Sequence, residues 1–111
     1  RSHDRTRSAR MTLLSGTWRF AYYPNQWNVS DAFKEADFDA ERWDAIPVPS
    51  CWQMLGYDRH QYTNIRYPFP FDPPYVPEDN PCGAYVTDFT LDTPDKVTEL
   101  HFEGVDSCFY V

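Results

Sequence analysis

Carboxylates are the commonest reactive groups in this chain, with 17 Asp and Glu among 111 residues against 10 Lys and Arg. Two carboxyl groups in a shared cleft can divide the work of general acid and base. No pair here has that setting. Glu78 and Asp79 are adjacent in a proline-rich stretch, and Asp37, Asp39 and Glu41 read as a solvated face. No catalytic acid, base or nucleophile is assigned. Cys51, Cys82 and Cys108 make an odd count without a Cys-x-x-Cys, and His3, His60 and His101 lack ligand spacing, so no metal site is read. Reduced thiols packed as small apolar groups are expected, which favours a reducing compartment. A Cys51–Cys82 pair is the alternative. Asn28-Val-Ser30 is a glycosylation sequon, with meaning only in a secreted eukaryotic protein.

Such side chains need elements to position them, and composition limits the choice. A chain of this length holds one domain with a modest core. Aromatic content of 18% and ten prolines against four glycines point to strands with stiff, aromatic-packed connections rather than a helical bundle. The net charge of −7 argues against nucleic acid, whose recognition requires clustered cations. The one basic cluster, Arg1, Arg5, Arg7 and Arg10, reads as a polar lead-in over residues 1–10. No apolar run is long enough to span a bilayer. With no signal-peptide pattern, a cytoplasmic location is expected.

Thr17 to Tyr23 alternates, with Trp18, Phe20 and Tyr22 on one face, as in a half-buried strand. Ala32 to Ala36 fits a helical turn, and nothing sustains a long helix. Ile46-Pro-Val-Pro49 reads as a short edge segment, because proline cannot donate to a ladder. Residues 50–83 form a long proline-rich loop, ordered by the interleaved Phe69, Phe71 and Tyr75. Ala84 to Leu91 and Thr98 to Glu103 alternate as strands, and Cys108 to Val111 begins another. Short strands with proline-rich connections indicate an all-β sandwich.

Four strings in the second half carry more information than any single residue. They are Pro49-Ser-Cys-Trp-Gln-Met-Leu-Gly-Tyr-Asp58, Tyr62-Thr-Asn-Ile-Arg-Tyr-Pro-Phe-Pro70, Asp72-Pro-Pro-Tyr-Val-Pro77 and Asn80-Pro-Cys-Gly-Ala-Tyr85. In order and spacing they resemble the N-terminal sugar-binding domain of the β-galactosidases of glycoside hydrolase family 2. Ser15-Gly-Thr-Trp-Arg-Phe20 and Phe102-Glu-Gly-Val-Asp-Ser107 extend the likeness more loosely. The resemblance implies a jelly-roll β-sandwich, like galactose-binding domains, of which this chain would hold about the first half. It also implies a retaining β-galactosidase whose two catalytic glutamates lie on a later barrel, leaving this stretch inactive alone. Implied partners are a β-galactoside, the remaining domains of the enzyme and further copies of it. Implied cofactors of the whole enzyme are Mg²⁺ and, in some members, Na⁺, with no metal ligand in this stretch.

By the same resemblance Asn64 reaches into the galactose pocket and contacts the sugar, and Ile65 lines that pocket as an apolar wall. An amide suits the task, offering two donors and an acceptor to sugar hydroxyls without adding charge beside catalytic carboxylates. Asparagines also commonly bond their own loop backbone. Tyr62, Trp52, Tyr67 and Phe69 could stack on a sugar, although such aromatics are more often core, as Trp18 and Trp43 are expected to be. Asp58 and Arg59 are charged loop residues that rim a pocket or are simply solvated. Two other functions share part of the pattern. A free-standing carbohydrate-binding β-sandwich shares the aromatic content, and an interaction protein could present the proline run as a polyproline II ligand.

Overall fold

The computed structural model describes residues 8–59, 71–92, 96–106 and 108–111. Its framework is an antiparallel sheet ordered β2-β1-β3, built from β1 (Gly16–Tyr23), β2 (Asp44–Val48) and β3 (Cys82–Val86). The N-terminal half of β1 pairs with β2, from Gly16 opposite Val48 to Phe20 opposite Asp44. Its C-terminal half pairs with β3, from Arg19 opposite Val86 to Tyr23 opposite Cys82. The two ladders overlap only at Arg19 and Phe20. Phe20 therefore has a strand on each side, and it is the most deeply buried large side chain described, 1% exposed.

Side chains on successive strand residues point to opposite faces. The register places Trp18, Phe20 and Tyr22 with Ile46 and Tyr85 on one face, and Arg19, Ala21, Ala84 and Val86 on the other. Phe20, Ile46, Ala84 and Ala40 are the buried apolar residues described. Burying the Phe20 side chain contributes about 1.5–3 kcal/mol. The edge position expected for the Ile46–Pro49 segment is found. β2 is an outer strand, and Pro47 sits opposite Thr17.

The β1–β2 connection holds two 3₁₀ turns, Gln26–Asn28 and Asp31–Lys34. Asn25 Oδ1 accepts from the Asn28 N–H at 3.1 Å, and Ser30 Oγ from the Ala32 N–H at 3.3 Å. The Ser30 hydroxyl takes up an amide at the start of its turn, while the Asn28 N–H is shared between the side chain and the carbonyl of Asn25. Lys34 also pairs with Asp31. Phe33 and Phe38 pack on Trp43, with ring centroids 6.0 and 5.2 Å away. This small satellite cluster holds the connection together. The helical turn expected near residues 32–36 is present as the second of these, and no α-helix occurs among the described residues.

Three expected strands differ. The strand predicted over Ala84–Leu91 runs over Cys82–Val86. It starts two residues earlier because Gly83 and Cys82 find ladder partners in Tyr22 and Tyr23. It stops at Val86, where Thr87 and Asp88 turn to border an open recess with Thr17, Arg19 and residues 38–41. Thr98–Glu103 and Cys108–Val111 are not strands. Their alternation is real, but a strand exists only when a neighbouring backbone takes its N–H and C=O groups. Leu100 and Phe102 remain 51% and 40% exposed, and Phe102 meets Phe109 ring to ring at 5.2 Å.

Gly83 lies directly beneath a ring. A Cβ built there would overlap the six-membered ring of Trp52 and come within 2.6 Å of Phe20 Cε2, whereas one at Gly104 meets nothing within 4 Å. Overfilling a packed site costs about 1–3 kcal/mol. Gly83→Ala is therefore expected to lower the unfolding free energy read from urea titration by an amount in that range, and Gly104→Ala to leave it within about 0.5 kcal/mol of the parent. Equal effects of the two substitutions would remove this contact from the account of stability.

Candidate functional site

The sequence resemblance places its sugar-contacting residues, Asn64 and Ile65, in the proline-rich loop. Both lie outside the described residues, as do Tyr62, Tyr67 and Phe69. What the structure gives is the ground on which that loop stands. Its first limb begins with a 3₁₀ turn, Trp52–Leu55, closed by Gly56 in the left-handed conformation at φ 90°. A side chain at that φ would be strained, so glycine is the natural stop. The Gly56 N–H donates to Gln53 O at 3.3 Å and the Tyr57 N–H to Trp52 O at 3.2 Å.

This closure turns two large rings toward the sheet. Trp52 packs on Phe20 and Tyr22, with centroids 5.7 and 6.0 Å apart. Tyr57 meets Phe20 edge-on at 4.9 Å and lies 6.3 Å from Tyr22. Tyr85 completes the cluster at 4.8 Å from Phe20. Tilted and edge-on pairs of this kind add about 0.5–1.5 kcal/mol beyond area burial. Trp52, expected to serve packing rather than sugar stacking, is a packing residue here. Trp18 and Trp43 are half-buried rather than fully buried, and the Trp18 indole N–H donates to Leu14 O at 2.7 Å. The buried Trp52 Nε1 has no hydrogen-bond partner among the described residues.

Two polar contacts tie the limbs of the loop. The Tyr57 hydroxyl donates to Asp44 Oδ2 at 2.7 Å, linking the first limb to β2. The Arg59 guanidinium reaches Asp79 Oδ2 at 3.3 Å across twenty residues of sequence, joining the outgoing limb to the returning one. The two side chains of this ion pair are 80% and 71% exposed. Such a pair contributes roughly 0–1 kcal/mol, so it registers the limbs more than it stabilises them. Asp58 and Arg59, which the sequence leaves between rim and solvent, therefore divide, with Arg59 crossing the base of the loop.

The phenols report the same surroundings. Burial, with Asp58 and Asp79 nearby, raises the Tyr22 pKa above its ordinary 10.0. The hydrogen bond to Asp44 raises that of Tyr57, and burial raises that of Tyr85. Burial likewise pushes the Cys82 thiol up, away from reactive thiolate character. All three cysteines are free, but the expected packing as small apolar groups fails for Cys51 and Cys108, which are exposed, and only Cys82 is partly buried.

Among the described residues no group of three or more His, Cys, Asp or Glu side chains could hold a metal ion. No helix of the described residues is long and apolar enough to cross a membrane. The sequence missed Tyr57 and Gly83 as structural anchors. The signal was available for Tyr57, which directly follows a glycine that stops a turn.

Residues 11–111 match the family described as glycosyl hydrolases family 2, sugar binding domain. The chain is 46% identical over 110 residues to a beta-galactosidase of Actinobacillus pleuropneumoniae, covering 99% of this chain and 10% of that protein. It is 47% identical over 108 residues to a beta-galactosidase of Staphylococcus xylosus, covering 96% of this chain and 10% of that protein. A beta-galactosidase of Pectobacterium atrosepticum is 40% identical over 113 residues, covering 99% of this chain and 11% of its own length. The chain thus spans about a tenth of the relatives it matches.

The raised phenols set a pH dependence with a definite sign. A group whose pKa is higher folded than unfolded contributes stability below its unfolded pKa and loses it as pH rises through the folded value. Thermal stability should therefore hold through neutral pH and fall above pH 10, the ordinary phenol value. Tyr57→Phe should make that alkaline slope shallower. Melting curves against pH, with phenolate absorbance followed in parallel, check it. An unchanged slope in the variant would detach Tyr57 from the titration.

Proposed function

Because the chain belongs to the sugar-binding domain family of the family 2 glycosyl hydrolases, we propose that it is the N-terminal, non-catalytic domain of a retaining β-galactosidase. The observation that carries this reading is the similarity to proteins named beta-galactosidase across 99% of the chain, with 46% identity. On this reading the domain is a jelly-roll β-sandwich whose strands include β1 to β3, with residues 1–10 as a lead-in. The two carboxyl groups that a retaining glycosidase uses, about 5–5.5 Å apart, belong to other parts of the enzyme. Asp39 accepts from the Glu41 N–H in a turn, Asp44 from the Tyr57 hydroxyl, and Asp79 pairs with Arg59 on the surface.

The domain's contribution to chemistry is Asn64, whose amide hydrogen-bonds galactose hydroxyls, with Ile65 as an apolar wall beside it. The aromatic cluster and the Arg59–Asp79 pair give the loop that carries them a fixed base. Among the described residues no three His, Cys, Asp or Glu side chains gather to hold a metal ion, and no step is routed through Mg²⁺ or Na⁺. Both are proposed to bind elsewhere in the whole enzyme, which acts in a reducing, cytoplasmic compartment as a homo-oligomer.

Two measurements test this reading. In the complete enzyme, Asn64→Ala should lower kcat/KM for a β-galactoside several-fold to tenfold, since one neutral hydrogen bond is worth about 0.5–1.5 kcal/mol. Wild-type kinetics would return Asn64 to a loop-structural role. The 111-residue chain alone should leave a chromogenic β-galactoside intact. Turnover by a preparation free of host enzyme would overturn the non-catalytic assignment.

A further inference from the structure

The geometry points to Trp27 as a stacking platform for a neutral saccharide, at a site that does not use Asn64. Of the four tryptophans, Trp18, Trp43 and Trp52 are half-buried, whereas Trp27 is 78% exposed. Among the described residues its side chain has no ring contact and no hydrogen bond. Tryptophan is concentrated at binding hot spots, because one rigid ring supplies a large contact area. The turn that carries this ring, Gln26–Asn28, is tied at both ends. The Asn28 N–H bonds to Asn25 O at 3.3 Å and to its Oδ1 at 3.1 Å, and the Val29 N–H donates to Gln26 O at 3.3 Å. The platform is set before a ligand arrives, which reduces the ordering cost of binding.

The chemistry beside the ring selects the ligand class. Its neighbours in the turn are three carboxamides, Asn25, Gln26 and Asn28. Residues 24–30, Pro-Asn-Gln-Trp-Asn-Val-Ser, hold no charged side chain in a chain that is 24% charged. Residues of a 3₁₀ turn rise only about 2.0 Å each, so the ring and the amides leave one short stretch of backbone. A pyranose asks for this combination, with C–H groups on one face to stack on an aromatic ring and a rim of hydroxyls that donate and accept. A carboxamide answers both kinds of hydroxyl contact. Asn25, whose Oδ1 takes the Asn28 N–H, keeps its two N–H donors. Other occupants fit less well. Phosphates and nucleic acids need cations, and the next charged residues along the chain, Asp31 and Lys34, neutralise each other. A protein contact would need apolar neighbours to shield the ring from water, where this turn offers amides.

The test uses the complete enzyme on a native gel cast with soluble β-1,4-galactan and run in the cold, beside a gel without it. The parent should be retarded by the polysaccharide. Trp27→Ala should weaken the apparent affinity about 3- to 10-fold, and Trp27→Phe, which keeps a ring, should retain most of it. Gln26→Ala should cost about threefold, the loss of one neutral hydrogen bond. Trp27→Ala should keep Tm within about 2 °C of the parent, as suits an exposed side chain. Asn64→Ala should leave the retardation in place. A parent that galactan does not retard would overturn the platform, as would a Trp27→Ala variant that binds like the parent. Retardation lost in Asn64→Ala alone would overturn it too, since the galactose pocket would then hold the polysaccharide. A changed oligomeric mass in Trp27→Ala would assign the ring to a contact between copies instead. Wild-type kinetics in Asn64→Ala, with retardation lost only in Trp27→Ala, would sink the pocket reading and leave the platform standing.

Discussion

The placement of Phe20 is the constraint on which the rest depends. It lies where the two ladders of β1 overlap, so strands flank it on both sides while Trp52, Tyr57 and Tyr85 close over its ring. A small sheet cannot bury many side chains. This one concentrates its burial at a single ring and lets other elements find their positions by contact with it. The 3₁₀ turn at Trp52–Leu55, the glycine at position 83 and the register of β3 are all conditions for the same packing.

A consequence is a separation between what holds the framework and what stands at its rim. Rings and glycines set the framework, and polar groups at its rim give direction to a loop. The exposed Arg59–Asp79 pair adds little to folding, and with the Tyr57–Asp44 hydrogen bond it stands at the foot of the connection between β2 and β3.

Much of this was legible in the sequence, for physical reasons that differ by segment. The alternation of Trp18, Phe20 and Tyr22 marks β1 because a strand with one buried face must repeat every two residues. Pro47 and Pro49 mark an edge because neither can donate. Alternation at Leu100 and Phe102 misled because it records a face without naming the partner that would pair the strand. Gly83 was read as loop because a missing side chain carries no pattern, although the absence is what admits Trp52. The family could be read from whole strings such as Tyr62-Thr-Asn-Ile65. The Tyr57–Asp44 contact could not, since it joins residues thirteen apart through a fold that no local pattern encodes.

Pro47 also gives the sheet a direction of growth. It sits at the middle of β2, the outer strand on one side, and has no N–H to offer a newcomer. Any chain trying to extend the sheet there would meet a ladder with its central rung missing. The outer edge of β3, Cys82–Val86, contains no proline and keeps every amide. Among the described residues the sheet is therefore polarised, with an edge interrupted by proline at β2 and an uninterrupted one at β3, where a further strand would find every amide in place.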